Sequence, residues 1–161
     1  MDSCVEAQTK NEEKNFTAEL EDIIANGART IDPFAKIVNY EVLWADPQEA
    51  EGVLHVTPTV LNPYGMVHGG CLVALADSVA GHNMAAAGKL CVTQSSTVNF
   101  LRPAMGKLVR CHSRIQKVGR QASVVSVEET DEKGKLLLTG LFTFSAVKEI
   151  PPHLITAQKE I

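Results

Sequence analysis

Hydrophobic positions along the chain change period several times, and each change marks an element. Phe16, Leu20, Ile23, Ile24 and Gly27 recur at helical spacing with Glu19, Glu21 and Asp22 between them. This pattern predicts an amphipathic helix over residues 16–27, after a polar tail at 1–15. Asp32-Pro33 breaks that helix. Strict alternation follows, with Val38, Tyr40, Val42 and Trp44 set against Asn39, Glu41 and Leu43. It predicts a strand that turns at Asp46-Pro47 into a second one near Gly52 to Val56. A loop with Pro58, Asn62-Pro63 and Gly65 then leads to the low-charge run from Gly70 to Gly88. That run is too long for a strand and rich in Ala, Leu and Met, so it reads as a helix. Apolar nearly all round, it is expected to be buried.

Four further strands are expected beyond it. Val92 to Leu101 sets Thr93, Ser95, Thr97 and Asn99 on one face. Lys107 to Val118 sets Val109, Cys111, Ser113 and Ile115 against Arg110, His112, Arg114 and Gln116. Gln121 to Glu129 and Lys135 to Val147 flank a turn at Asp131-Glu132-Lys133-Gly134, while Val118-Gly119-Arg120 turns the preceding pair. Connections this short require antiparallel pairing. The expected architecture is therefore α+β: about six antiparallel strands in a curved sheet wrapped around one long central helix, with an extra N-terminal helix. Residues 16–150 are expected to form a single domain, with tails at 1–15 and 151–161.

Composition narrows the class. At 161 residues, 45% of them hydrophobic and 21% charged, the chain has enough apolar material for one globular core. Its first fifteen residues lack the apolar stretch of a secretory signal, which makes a cytoplasmic setting the expectation. The helical run holds Asp77, His82, Asn83 and several glycines, a poor composition for a membrane span. Cys4, Cys71, Cys91 and Cys111 show no paired spacing and read as reduced thiols. The net charge of −4 argues against large polyanionic partners, whether nucleic acid or anionic membrane. Residues 1–30 carry seven acids and three bases, leaving twelve of each in the remainder, so the whole excess sits in the leading segment.

Asp77 is the sharpest chemical feature. It is the one charged side chain between Gly70 and Gly88, and burying an unpaired carboxylate costs several kcal/mol or forces protonation. Ala74, Ala80 and Gly81, its helical neighbours, are small and leave room for a ligand beside it. The competing reading is a carboxylate paired or solvated at a loop or subunit boundary. At the helix entrance stands Val67-His68-Gly69-Gly70. Its glycines permit close backbone approach, and the first free N–H groups of a helix suit an anion or a developing oxyanion. An ordinary loop-to-helix junction has the same composition. Cys71 beside this terminus is either an activated thiol or a small buried hydrophobe. The histidines at 55, 68, 82, 112 and 153 lack the spacing of a metalloprotease zinc site.

The combined run His68-Gly69-Gly70-Cys71-Leu72-Val73-Ala74-Leu75-Ala76-Asp77 resembles the signature of hotdog-fold acyl-CoA thioesterases, in particular the phenylacetate-pathway (PaaI-like) family. The resemblance spans about Phe34 to Val147. It takes in Val98-Asn99-Phe100-Leu101-Arg102-Pro103-Ala104, the Val118-Gly119-Arg120 turn and the last strand. The hotdog fold it implies matches the pattern above. It further implies that Asp77 directs or activates a water at the thioester carbonyl and that the Gly69 N–H polarises that carbonyl. Asn62 would orient the thioester, and His68 would contact it. Thr93 stands where related enzymes carry a water-placing serine, allowing a two-residue gap. The implied reaction converts a small aryl or medium-chain acyl-CoA to free acid and CoA, with coenzyme A as part of the substrate and no separate cofactor. Two alternatives remain: a non-catalytic acyl-CoA-binding hotdog protein, and a hotdog enoyl-CoA hydratase using Asp77 and His82. For the latter pair the helix imposes a separation of about 140° on the wheel, which prevents them converging on one carbon.

Spacing on the helix has a second consequence. Gly69 and Asp77 are separated by about 12 Å of helical rise, too far to share one water and one carbonyl. A two-fold dimer in which Gly69 of one subunit faces Asp77 of the other is therefore expected, either alone or as a dimer of dimers. Between Asp77 and Glu128 the sequence has no acid but seven bases: Lys89, Arg102, Lys107, Arg110, Arg114, Lys117 and Arg120. Together they read as a local anion site suited to the phosphates of coenzyme A, although any single one also reads as a solvated strand residue. Arg102 and Arg120 are the leading phosphate contacts, with Gly70, Lys117 and Gly119 beside them.

Overall fold

Proline suits the first position of a helix, where its missing N–H costs nothing. In the computed structural model of the chain, which describes residues 32–150 and Ile155, Pro33 opens a short helix, α1 (Pro33–Val38). Asn39, with φ 63, adopts the left-handed conformation that ends it. The first strand, β1 (Tyr40–Ala45), therefore starts two residues later than the alternation from Val38 predicts, and Val38 is buried from the helix instead. The helix expected at 16–27, the tail at 1–15 with Cys4, and all of the tail at 151–161 except Ile155 lie outside the described residues.

Asp46 makes the first reversal, its Oδ1 accepting from the backbone N–H groups of Gln48 and Glu49. β2 (Glu49–His55) follows and begins earlier than the Gly52 suggested by the sequence. A single 3-10 turn (Pro58–Val60) occupies the expected loop. The long helix, α2, runs Gly69–Ala86. β3 (Lys89–Phe100), β4 (Leu108–Lys117), β5 (Ala122–Asp131) and β6 (Leu136–Glu149) complete the order. All pairings are antiparallel, and the sheet order is β1-β2-β4-β5-β6-β3. Six strands around one long helix is the expected hotdog arrangement.

The core lies between α2 and one face of the sheet. Leu72, Leu75, Ala76, Val79, Ala80 and Met84 are buried on the helix, against Leu54, Val109, Cys111, Val125, Val127, Leu138, Phe142 and Phe144 from the strands. Helix and sheet approach closely at Gly52, where an added Cβ would stand 2.5 Å from Val79 Cγ2. The helix is not enclosed all round, however. Ala74, Asp77, Ser78, Gly81 and His82 are only partly buried and form a second face, so Asp77 does not bear the full cost of burial that its apolar surroundings in sequence suggested.

β3 departs most from its predicted alternation. Thr93 lies opposite Phe144 of β6, but Ser95 lies opposite Thr143, so Gln94 is an extra residue on β3. The bulge shifts the phase by one. Ser96, Val98 and Phe100 now pair with Phe142, Gly140 and Leu138, on the same face as Thr93, and the expected single face of Thr93, Ser95, Thr97 and Asn99 is split. One row across the sheet reads Phe100, Leu138, Glu129, Cys111, Gly52. It passes beneath the N-terminal half of α2, since Phe100 touches Gly69 at one end while Gly52 faces Leu75 and Val79 at the other.

Candidate active site

Two short constellations carry the chemistry, and β3 connects them. Near the middle of α2, Asp77 reaches toward β3, and its Oδ1 accepts a hydrogen bond from Thr93 Oγ1 at 2.7 Å. The bulge at Gln94 is adjacent and belongs to the same local irregularity. Thr93 is exposed and Asp77 half-buried, so the carboxylate is oriented while remaining accessible to water. One turn further along, His82 Nδ1 bonds back to the Ser78 carbonyl at 2.8 Å, and Ser78 Oγ donates to the Tyr40 hydroxyl at 2.7 Å. His82 is thus held on its own helix and does not join Asp77.

The second constellation is the start of α2. His68 is the N-cap, with extended backbone, and no side chain caps the helix. The N–H groups of Gly69 and Gly70 have no acceptor within the helix and present a positive end to whatever lies above them. The His68 side chain is exposed, and its carbonyl accepts from Cys71 and Leu72. Asn62 shapes the approach to this terminus, its Oδ1 accepting from Tyr64 N–H at 2.9 Å and Met66 N–H at 3.2 Å. That oxygen is engaged in the loop, which leaves the amide N–H2 as the group Asn62 can offer a ligand. Burial pushes the Cys71 thiol above its ordinary pKa, which fits a packed side chain rather than an activated nucleophile.

Phe100 is a site neighbour that sequence reasoning missed. An added Cβ on Gly69 would lie 3.3 Å from its Cε1 and Cζ, so the ring rests on the first residue of α2. Counting by twos from Thr93 puts Phe100 on the opposite face; the bulge reverses this. No glycine or proline marks Gln94 as the bulged position, so the sequence carries no local signal for it.

The basic stretch does not form one anion site. Lys89 pairs with Glu149, Arg110 with Glu51 and Arg114 with Glu49, each acid arriving from a neighbouring strand. Arg102 Nη1 donates to the Leu136 carbonyl at 2.7 Å and ties the β3–β4 connection to β6. Lys117 and Arg120 are exposed at the β4–β5 turn, which is tight enough that a Cβ on Gly119 would meet the Ala122 carbonyl oxygen at 2.1 Å. Arg102 lies near the Leu136 end of the sheet and Lys117 near Val124, about 20 Å apart along β5. Within one chain they do not contact the same phosphate. Among the described residues no three His, Cys, Asp or Glu side chains stand close enough to share a metal ion, and no helix is long and apolar enough to cross a membrane.

Comparison with known proteins agrees with this geometry. The sequence model of the Thioesterase superfamily matches residues 64–138, a stretch that includes both constellations except Asn62. A curated relative from Haemophilus influenzae, named "Putative esterase", is 29% identical over 104 residues, covering 60% of this chain and 72% of that protein. A hypothetical thioesterase of Streptococcus pneumoniae, solved with coenzyme A, is 25% identical with a TM-score of 0.67 and covers 70% of this chain and 92% of its own. The PaaI protein of the Escherichia coli phenylacetic acid degradation operon has a TM-score of 0.72 at 21% identity, over 81% of this chain and 95% of its own, a likeness of fold. The six-stranded sheet wrapped on one helix is a hotdog fold, and its central part, residues 64–138, is similar in sequence to the Thioesterase superfamily, so the chain reads as a thioester hydrolase.

Proposed function

We propose that the chain is an acyl-CoA thioesterase, cleaving small aryl or medium-chain acyl-CoA to the free acid and coenzyme A. In this reaction Asp77 accepts a proton from a water, whose oxygen attacks the thioester carbonyl carbon. The Gly69 N–H stabilises the oxyanion as it forms. Collapse of the tetrahedral species breaks the carbon–sulfur bond, and the departing thiolate takes up the proton held by Asp77. Asn62 Nδ2 and His68 would bear on the thioester from the loop side, while Lys117, Gly119, Arg120 and Arg102 are the proposed contacts of the coenzyme A phosphates.

The observation that carries the reading is the Thr93–Asp77 hydrogen bond, which aims an accessible carboxylate at the sheet edge. A solved relative with coenzyme A bound supports the ligand class. Two further structures of that pneumococcal protein carry an aspartate or a threonine replaced by alanine, at positions sixteen apart, which is the separation of Asp77 and Thr93.

The site is completed by a second copy of the chain. Among the described residues the twelve-residue β3 is an edge strand that pairs only with β6, a feature that invites pairing with another strand. Asp77 is tied to Thr93 of this strand, and Gly69 to Phe100 of the same strand. Antiparallel pairing of two β3 strands about a two-fold axis near the middle of the strand brings Thr93 of one protomer toward Phe100 of its partner. Asp77 then approaches the partner's Gly69, which the helical rise of about 12 Å prevents within one chain. Release of free thiol from a panel of acyl-CoAs, measured with wild type and Asp77→Asn, tests the reading. Turnover confined to wild type is expected; equal turnover in both proteins overturns the assigned mechanism.

A further inference from the structure

Phe100 combines properties that the reaction as assigned does not use. It is a large aromatic side chain, yet 54% of its surface is exposed, while its cross-strand neighbour Leu138 is fully buried. The bulge at Gln94 turns it to the helix-facing side that Thr93 also occupies. Its ring packs beside Gly69, the residue whose N–H is proposed to hold the reacting carbonyl. We infer that Phe100 is a specificity-determining residue, the wall against which the acyl carbons beyond the thioester carbonyl pack.

This rests on the proposed acyl-CoA reaction and adds a determinant of its selectivity. A carbonyl oxygen held at the Gly69 N–H places the next carbons of the acyl group within reach of whatever flanks Gly69. On the β3 side that is the face and edge of the Phe100 ring. Such a surface offers an apolar or aromatic acyl group offset stacking and burial that a two-carbon acyl group cannot use. In the proposed β3 pairing the ring also lies toward the partner's Thr93, so it borders both halves of the site. Gly69 is coupled to the same wall: an alanine there would bring its Cβ to 3.3 Å from the ring and push it by a few tenths of an ångström.

The test is a ratio of kcat/KM for hexanoyl-CoA and for phenylacetyl-CoA over that for acetyl-CoA. Phe100→Ala is expected to lower both ratios on the order of 10-fold, chiefly through KM, the scale of discrimination available to an apolar pocket. Phe100→Leu keeps most of the volume and tests the same ratios if the alanine variant folds poorly. Gly69→Ala is expected to shift the ratios in the same direction, with little added by combining it with Phe100→Ala, because both act on one ring. Leu141→Ala, on the opposite face of the sheet, leaves them unchanged. Ratios preserved in both Phe100 variants, including a uniform loss with every acyl-CoA accompanied by dissociation of the dimer, overturn the assignment. Absence of thiol release from any acyl-CoA by wild type is a separate result and overturns the underlying reaction instead.

Discussion

Two carboxyl groups beneath and beside the same helix meet opposite fates. Asp77 lies on the partly open face of α2, half-buried, and accepts a hydrogen bond from Thr93. Glu129 lies in the middle of the sheet, fully buried between Cys111 and Leu138, and among the described residues neither of its oxygens has a hydrogen-bond partner. Burial drives the Glu129 carboxyl well above its ordinary pKa, so it holds its proton in the folded chain. Burial likewise raises the neighbouring Cys111 thiol. The energetic penalty expected of the lone acid in the apolar helix is found instead on a strand that looks ordinary in sequence. A carboxylate suited to proton transfer needs orientation and access to water, and of the two only Asp77 has both.

That contrast fails first at Asp77. Asp77→Asn keeps the shape and removes the base, so kcat/KM for the best acyl-CoA should fall by about 10² to 10⁴-fold, the usual worth of a positioned general base. A smaller loss than that of Thr93→Ala would reverse the assignment of roles. The Thr93 variant should lose about 10-fold to 100-fold, since it removes one charge-assisted hydrogen bond, and Thr93→Ser should restore most of the rate by supplying the same hydroxyl.

Glu129 should leave its mark on stability against pH rather than on rate. Its pKa is raised in the folded state, so folding takes up a proton once the pH exceeds the unfolded carboxyl value. The contribution is fully present below that value and is lost as pH rises through the folded pKa. Glu129→Met removes the orphaned group and should stabilise the chain by about 1–3 kcal/mol near neutral pH. The gain in Tm over wild type should widen from pH 5 to pH 9. A constant gain across that range would mean that Glu129 does not titrate with folding. Glu49, Asp131 and Glu149 have lowered pKa values, caused first by hydrogen bonds from Arg114, Lys135 and Lys89, and their contributions have the opposite sign, lost as pH falls.

The smallest expected effects belong to the bases. Lys117→Ala and Arg120→Ala should each raise KM several-fold and weaken its dependence on ionic strength, because an exposed base facing phosphate acts through a screened field. Arg102→Ala should also lower Tm, since it frees the Leu136 carbonyl, and a KM effect without any stability effect would place Arg102 among the pure phosphate contacts.

The period of hydrophobic residues made most of the fold legible. β4 shows it best, with Val109, Cys111 and Ser113 buried and Arg110, His112 and Arg114 exposed as the alternation predicts. What escaped was non-local. The partners of Lys89, Arg110 and Arg114 come from strands distant in sequence, so a run of bases without local acids looked like one anion site when three of its seven bases are paired with acids. The phase of β3 changes at Gln94, which has no turn chemistry to announce it, and that change brings Phe100 to the face that Thr93 occupies. Glu129 did carry a signal, because Ser123, Val125 and Val127 point inward by twos and Glu129 continues the series. An acid near the end of a strand is more often its solvated limit, and the burial that makes it unusual depends on the strands paired on either side of it, β4 and β6. Asp77 and Gly69 stand out through their motif, and their separation along the helix is what leads to the proposed second copy.

Sharing of the site between two chains is the claim on which the account turns, and mixed dimers measure it directly. Gly69→Pro removes the N–H at the first helical position, where proline is conformationally accepted and the extended backbone of His68 suits the residue before it. Neither Gly69→Pro nor Asp77→Asn dimers should release thiol at a useful rate. Co-refolded, half of the dimers combine one chain of each, and each of these restores one intact site of two, so turnover should recover to about one quarter of wild type. Mixed dimers that form but stay as inactive as their parents would contradict the shared site.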